Sequence, residues 1–107
     1  MNRHDFTMLV CDLLQAMTDD GLIPFVDYCK RSDEEQKRLW LQGLSKCDGI
    51  IKVSQHQRGK AVDLYLLSPE GKLLIWGNAL SKKWHQWWVD RGGEPMIEWD
   101  EGHFECR

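Results

Sequence analysis

Two short stretches hold residues that could assemble into a hydrolytic site. In "SQHQRGKAVD", His56 and Asp63 stand seven positions apart with Gly59 between them. In "DEGHFE", His103 follows Asp100 by three positions and precedes Glu105 by two. Two imidazoles and one carboxylate suffice as ligands for catalytic zinc and leave a fourth position for water. The same donors also suit other first-row metals. A zinc ion brings the pKa of such a water near neutral, so the chemistry within reach is hydrolysis at ordinary pH. The water needs a base. Asp100 can reach it across a tight turn, and Glu98 is the alternative. A cation must also hold an anionic substrate or a developing oxyanion, and Arg31 is the candidate. Taken singly, each residue has a plainer reading as a half-buried polar group, a loop acid or a solvated charge. Together they define a site. His4 and His85 belong to no such constellation and are expected on the surface.

These side chains need elements to position them. Phe6, Leu9, Val10, Leu13, Leu14 and Met17 recur at helical spacing, and that helix should stop at "TDDG". "LIPFVDYC" reads as a strand with Pro24 near its start. Ser32 and Glu35 form a capping-box pattern opening a second helix, which should end around Gly43. "LSKCDGIIKVSQHQRG" reads as a long loop with a short extended piece at Ile50 to Val53. "AVDLYLL" is the best strand: Val62, Leu64 and Leu66 share one face, and Ala61, Asp63 and Tyr65 the other. That puts Asp63 on the face away from the apolar side, where a charge needs a partner. "SPEGK" is a turn and "LLIW" should pair back as a hairpin. A third helix, "NALSKKWHQWWVDR", should be capped by Asn78. The final stretch suggests one or two short strands, with His103 and Glu105 on one face and Phe104 and Cys106 on the other. The order favours one small α+β domain, residues 1–107, with a central antiparallel sheet flanked by helices.

Composition narrows the function classes. The chain has 107 residues and a formal net charge of −3. It lacks the surplus of Lys and Arg needed to displace counterions from nucleic acid, so no nucleic-acid partner is expected. The first helix is amphipathic and unlike a secretion signal, and no stretch reaches transmembrane length. Synthesis in the cytoplasm without a signal peptide, with reduced thiols, is the expectation. Cys11, Cys29, Cys47 and Cys106 contain no C-x-x-C pair. A closed structural zinc site would need a fourth ligand, and Cys106 is expected on the wrong face to supply it. Most of the six tryptophans should fill the core.

"SQHQRGKAVD" resembles the S-x-H-x-x-G-x-A-x-D signature of peptidase family M15, the D-alanyl-D-alanine carboxypeptidases and L-alanyl-D-glutamate endopeptidases. "DEGHFE" resembles its second signature, D-x-P-H-F-E. "KRSDEEQKRLWLQGLS" resembles its arginine–glutamine segment, R-T-x-E-E-Q followed by Q-G-R-S. The three segments occur in the family's order and span roughly residues 31 to 105. The resemblance implies an M15 / hedgehog-type metallopeptidase fold and Zn2+ held by His56, Asp63 and His103. It implies Asp100 as general base, Arg31 as the stabilising cation, and Ser54 and Gln36 lining the site for substrate. The implied substrate is a bacterial peptidoglycan stem peptide, cut at L-Ala–D-Glu as in phage endolysins released with a holin's help. D-Ala–D-Ala carboxypeptidase action is the alternative, as is an inactive zinc-containing wall-peptide binding module. The protein is expected to be a monomer that does not insert into membranes. The sequence departs from the pattern in lacking "W-G-G-D-W", in "DYCK" before Arg31, and in Gly102 where the family has proline.

Overall fold

The computed structural model describes residues 1–28, 32–43 and 55–107, except the side chains of Tyr28 and Gln36. The element order is α1 (Arg3–Asp19), β1 (Ile23–Tyr28), α2 (Asp33–Leu41), β2 (Ala61–Leu67), β3 (Leu73–Leu74), α3 (Gly77–Asp90) and β4 (His103–Glu105). The strands form one antiparallel sheet with β2 at its centre. β1 runs along one edge of β2, from Ile23 opposite Leu67 to Tyr28 opposite Asp63, with a register shift between Val26 and Tyr28. Along the other edge, β4 pairs with the start of β2 and β3 with its end.

The period-two pattern of β2 decides which face carries the core. Val62, Leu64 and Leu66 are buried, and Phe6, Leu9, Leu13 and Met17 of α1 join Trp84 and Trp88 of α3 in covering them. Trp88 meets Phe6 and Phe104 edge-on, at 5.9 and 5.6 Å between ring centres. Its indole N–H donates to the Glu105 carbonyl at 2.8 Å, which satisfies the one polar atom of a fully buried ring. The opposite face carries Asp63 and Tyr65, the latter stacked on Phe25 at 5.2 Å.

Several expectations are met and others shift. The Ser32 hydroxyl caps α2 as expected, accepting from the Glu35 amide at 3.1 Å, and α1, for which no cap was expected, carries a full capping box of Asn2 and Asp5. The hairpin after the Ser68–Lys72 turn is shorter than expected, because β3 ends at Leu74 and Ile75 is exposed. α3 starts at Gly77, one residue before the expected cap Asn78. Its N-cap position is Trp76, which makes no side-chain capping bond, and the chain enters the helix through Gly77 at φ +60°. Trp84 and Trp88 fill the core as expected, but Trp40 and Trp99 are exposed. The extended piece expected at Ile50 to Val53 lies outside the described residues.

Candidate metal centre

His56 comes from the tight turn that leads into β2. Within it the Gly59 amide donates to the His56 carbonyl at 3.2 Å and the Lys60 amide to the Gln55 carbonyl at 2.8 Å. Gly59 has φ +70°, a left-handed conformation that favours glycine, and its missing Cβ leaves room for the Arg3 guanidinium. The reversal folds His56 back over the strand that carries Asp63. This is the physical reason for the H-x-x-G-x-x-x-D spacing. Gln57, in the same turn, donates its amide to Asp33 at 2.7 Å and ties the turn to the first residue of α2.

Asp63 and His103 are directly opposite one another across the β2–β4 pair. His103 Nδ1 lies 2.9 Å from Asp63 Oδ1. His56 Nε2 lies 3.1 Å from the same oxygen and 3.2 Å from His103 Nδ1. The three ligand atoms therefore form a nearly equilateral triangle. Around a tetrahedral zinc ion with bonds of 2.0–2.2 Å, neighbouring ligand atoms sit about 3.3 Å apart. The triangle is close to that size with no side-chain movement, so the donor set fits zinc in both type and spacing. Both histidines are buried and Asp63 is half-buried. Among the described residues, these three make up the cluster able to hold a metal ion.

The electrostatics carry the same message. Burial alone would lower the His103 pKa. The hydrogen bond to Asp63, with the nearby Glu105 and Asp100 carboxylates, outweighs it and pushes the value up to about 9. Burial alone would raise the Asp63 carboxyl, but its bonds to His103 and His56 hold it well below the usual carboxylate range. The metal-free site thus favours a proton on His103, which a metal ion would displace on binding.

Asp100 stands beside the triangle. Its Oδ2 is 3.9 Å from His103 Nδ1 and its side chain is 39% exposed, so it faces both the ligand atoms and solvent. Its amide donates to the Ile97 carbonyl at 2.9 Å and its carbonyl accepts from the His103 amide at 3.1 Å. That turn sets the three-residue spacing between acid and ligand. Glu98 is exposed and stands outside the cluster. Glu105 approaches His103 Nε2 from the other side at 3.8 Å. Cys106 is buried in the core, on the opposite side of β4 from His103, as the alternation predicts. Arg31, Ser54 and the Gln36 side chain lie outside the described residues.

His85 corrects the expectation of a surface residue. It is 4% exposed, lies flat on Phe104 at 4.1 Å, and its Nε2 is 2.6 Å from the Glu101 carbonyl oxygen. Burial lowers its pKa. Its signal was in the sequence: Ser81, Trp84, His85 and Trp88 follow the i, i+3, i+4, i+7 pattern of a buried helical face.

No family model matches the sequence. Among solved structures, an L,D-carboxypeptidase, DacB from Streptococcus pneumonia, aligns with a TM-score of 0.62 at 18% identity. The alignment covers 100% of this chain and 74% of that one. The vancomycin resistance D,D-pentapeptidase VanY from a VanB-type cassette, in complex with Zn(II), aligns with a TM-score of 0.64 at 17% identity. It covers 94% of this chain and 70% of VanY. The fold is the one these two peptidases share. The expected α+β metallopeptidase architecture is therefore the one found, reached here at an identity where only the fold is common ground. No helix among the described residues is long and apolar enough to cross a membrane.

Proposed function

We propose that this chain is a zinc-dependent peptidase acting on bacterial peptidoglycan stem peptides. The observation that carries this reading is the triangle of His56 Nε2, Asp63 Oδ1 and His103 Nδ1, with the Asp100 carboxylate 3.9 Å from His103 Nδ1. Zinc held there would supply Lewis acidity to the scissile carbonyl and to the attacking water. Asp100 takes the proton of that water on a carboxylate oxygen and hands it to the leaving amine. His56 and His103 stay neutral while they serve as ligands, and Asp63 brings one negative charge. Arg31, by its residue type and its place just before α2, is assigned to the negative charge that develops on the carbonyl oxygen. Ser54 and Gln36 are assigned to the peptide on either side of the bond.

The motif resemblance favours cleavage at L-Ala–D-Glu, in a phage-lysis setting with a holin releasing a monomeric enzyme. The names of the two solved structures sharing the fold, an L,D-carboxypeptidase and a D,D-pentapeptidase, favour a second reading, trimming of the peptide's D-alanine end. One experiment separates them. Purified stem peptides are incubated with zinc-loaded protein, with and without chelator, and the products are weighed by mass spectrometry. Chelator-sensitive release of the D-Glu-containing fragment supports the endopeptidase. Loss of D-alanine alone supports the carboxypeptidase. Intact peptides beside zinc-loaded protein would leave a wall-peptide binding module.

A further inference from the structure

Ser81 and His85 are an unusual pair to find on the buried face of α3. They are 3% and 4% exposed and one helical turn apart, on the face that also carries the buried Trp84 and Trp88. Polar groups at such positions cost stability unless they are bonded, and apolar residues of similar size would pack there without that cost. Both bond to one residue. The Ser81 hydroxyl donates to the Glu101 carboxylate at 2.6 Å, and His85 Nε2–H donates to the Glu101 backbone carbonyl at 2.6 Å. His85 Nδ1 is buried without a partner, which fits a neutral ring with its proton on Nε2.

Glu101 is the residue between the proposed base and the rest of the ligand turn. The next residue, Gly102, accepts from the Leu64 amide of β2 at 2.8 Å. Residues 100–103 are therefore gripped from two sides, by α3 through Glu101 and by β2 through Gly102. Resting on the peptidase reading above, we infer that Ser81 and His85 are positioning residues that set the placement of His103 and Asp100 by clamping Glu101. Neither touches substrate. Their work is to fix the His103 ring at the triangle and the Asp100 carboxylate beside it.

The test uses the full chain and four proteins: wild type, His85→Leu, His85→Gln and Ser81→Ala. Leucine fills the space without a donor. Glutamine places an N–H near the position of the imidazole Nε2. Zinc affinity is measured by competition with a chromophoric chelator, and kcat and KM are measured on stem peptides at a temperature where each variant is folded by near-ultraviolet circular dichroism. Loss of a hydrogen-bond partner behind a ligand commonly lowers metal affinity or activity about 10- to 100-fold. His85→Leu is expected to show a loss of that order in zinc affinity, with kcat reduced and KM nearly unchanged, and His85→Gln to recover most of both. A lower melting temperature with wild-type zinc affinity and kcat would make the pair ordinary core residues and overturn the inference. Should His85→Leu not fold, Ser81→Ala decides by the same measurements: a weaker zinc affinity upholds the clamp, and an unchanged one overturns it. If wild type binds zinc but cuts no stem peptide, the peptidase reading fails, while the zinc affinities of the variants still decide the clamp.

Discussion

Asp63 and His103 face each other across the β2–β4 pair, 2.9 Å apart through Oδ1 and Nδ1. A cross-strand pair at that distance joins the sheet and the site into one construction. The register that buries Val62 against Phe104 also sets the two ligand atoms side by side. Four expectations follow from the geometry around this pair.

Zinc should stabilise the wild type and leave ligand variants unmoved. A ligand that binds only the folded state adds about 2.7 kcal/mol at a hundredfold excess over Kd. Thermal unfolding with and without zinc should show that gain in wild type and none in Asp63→Ala or His103→Ala at the same zinc concentration. An equal upward shift in either variant would place the metal elsewhere.

The metal-free protein should have a characteristic pH profile. The His103 pKa is raised in the fold, to about 9 from an unfolded value near 6.5. Its contribution is therefore fully present below about pH 6.5 and lost as pH rises through about 9. Asp63 has the opposite sign: its pKa is depressed, so its contribution holds above about pH 4 and is lost on acidification. Urea unfolding of chelator-treated protein should give a higher midpoint at pH 6 than at pH 9, with the difference abolished in His103→Ala. Zinc binding at pH 7 should also expel the His103 proton, visible as a dependence of calorimetric heat on the buffer's ionisation enthalpy. A buffer-independent heat would contradict the protonated metal-free site.

Asp100→Asn keeps the shape of the turn and removes the proposed base. General acid–base groups contribute roughly 10²- to 10⁴-fold. The variant should lose kcat on that scale while binding zinc as wild type does. Glu98→Gln should retain activity. If the two variants exchange these outcomes, the base is Glu98.

Gly102 has no room for a side chain. A Cβ there would run into the Leu64 carbonyl oxygen and lie 3.1 Å from the Trp76 indole nitrogen. Gly102→Ala is expected to cost about 1–3 kcal/mol, as overpacking does, and to weaken zinc binding by displacing His103. Denaturant midpoints and chelator competition would check both, and wild-type values in the alanine variant would show that the turn has slack.

The approach of His56 to Asp63 was legible in the sequence through two local rules, and the motif resemblance added His103 to the pair. A left-handed glycine turns His56 back onto the strand, and period-two alternation puts Asp63 on the face away from the core. The nearness of Asp100 to His103 was legible for a similar reason, since three residues span one tight turn. His85 belongs to no polar constellation in the sequence because its partner, the Glu101 carbonyl, is backbone and leaves no trace in residue type. The start of α3 shifted because Gly77 supplied a left-handed entry that competed with the cap expected at Asn78. The hairpin shortened because only Leu73 and Leu74 find partners on β2, while Trp76 turns its N–H to the Leu64 carbonyl at 3.3 Å.

The Leu64 amide, bonded to the Gly102 carbonyl, sits in the central strand but takes its partner from the ligand turn. Its neighbours in β2 exchange their protons with solvent only when the sheet itself opens. Leu64 would also exchange whenever the turn lifts away alone. The difference between its deuterium uptake and that of an amide such as Leu66 therefore measures how often the turn that carries Asp100 and His103 detaches from an intact fold, with no substrate or metal needed to see it.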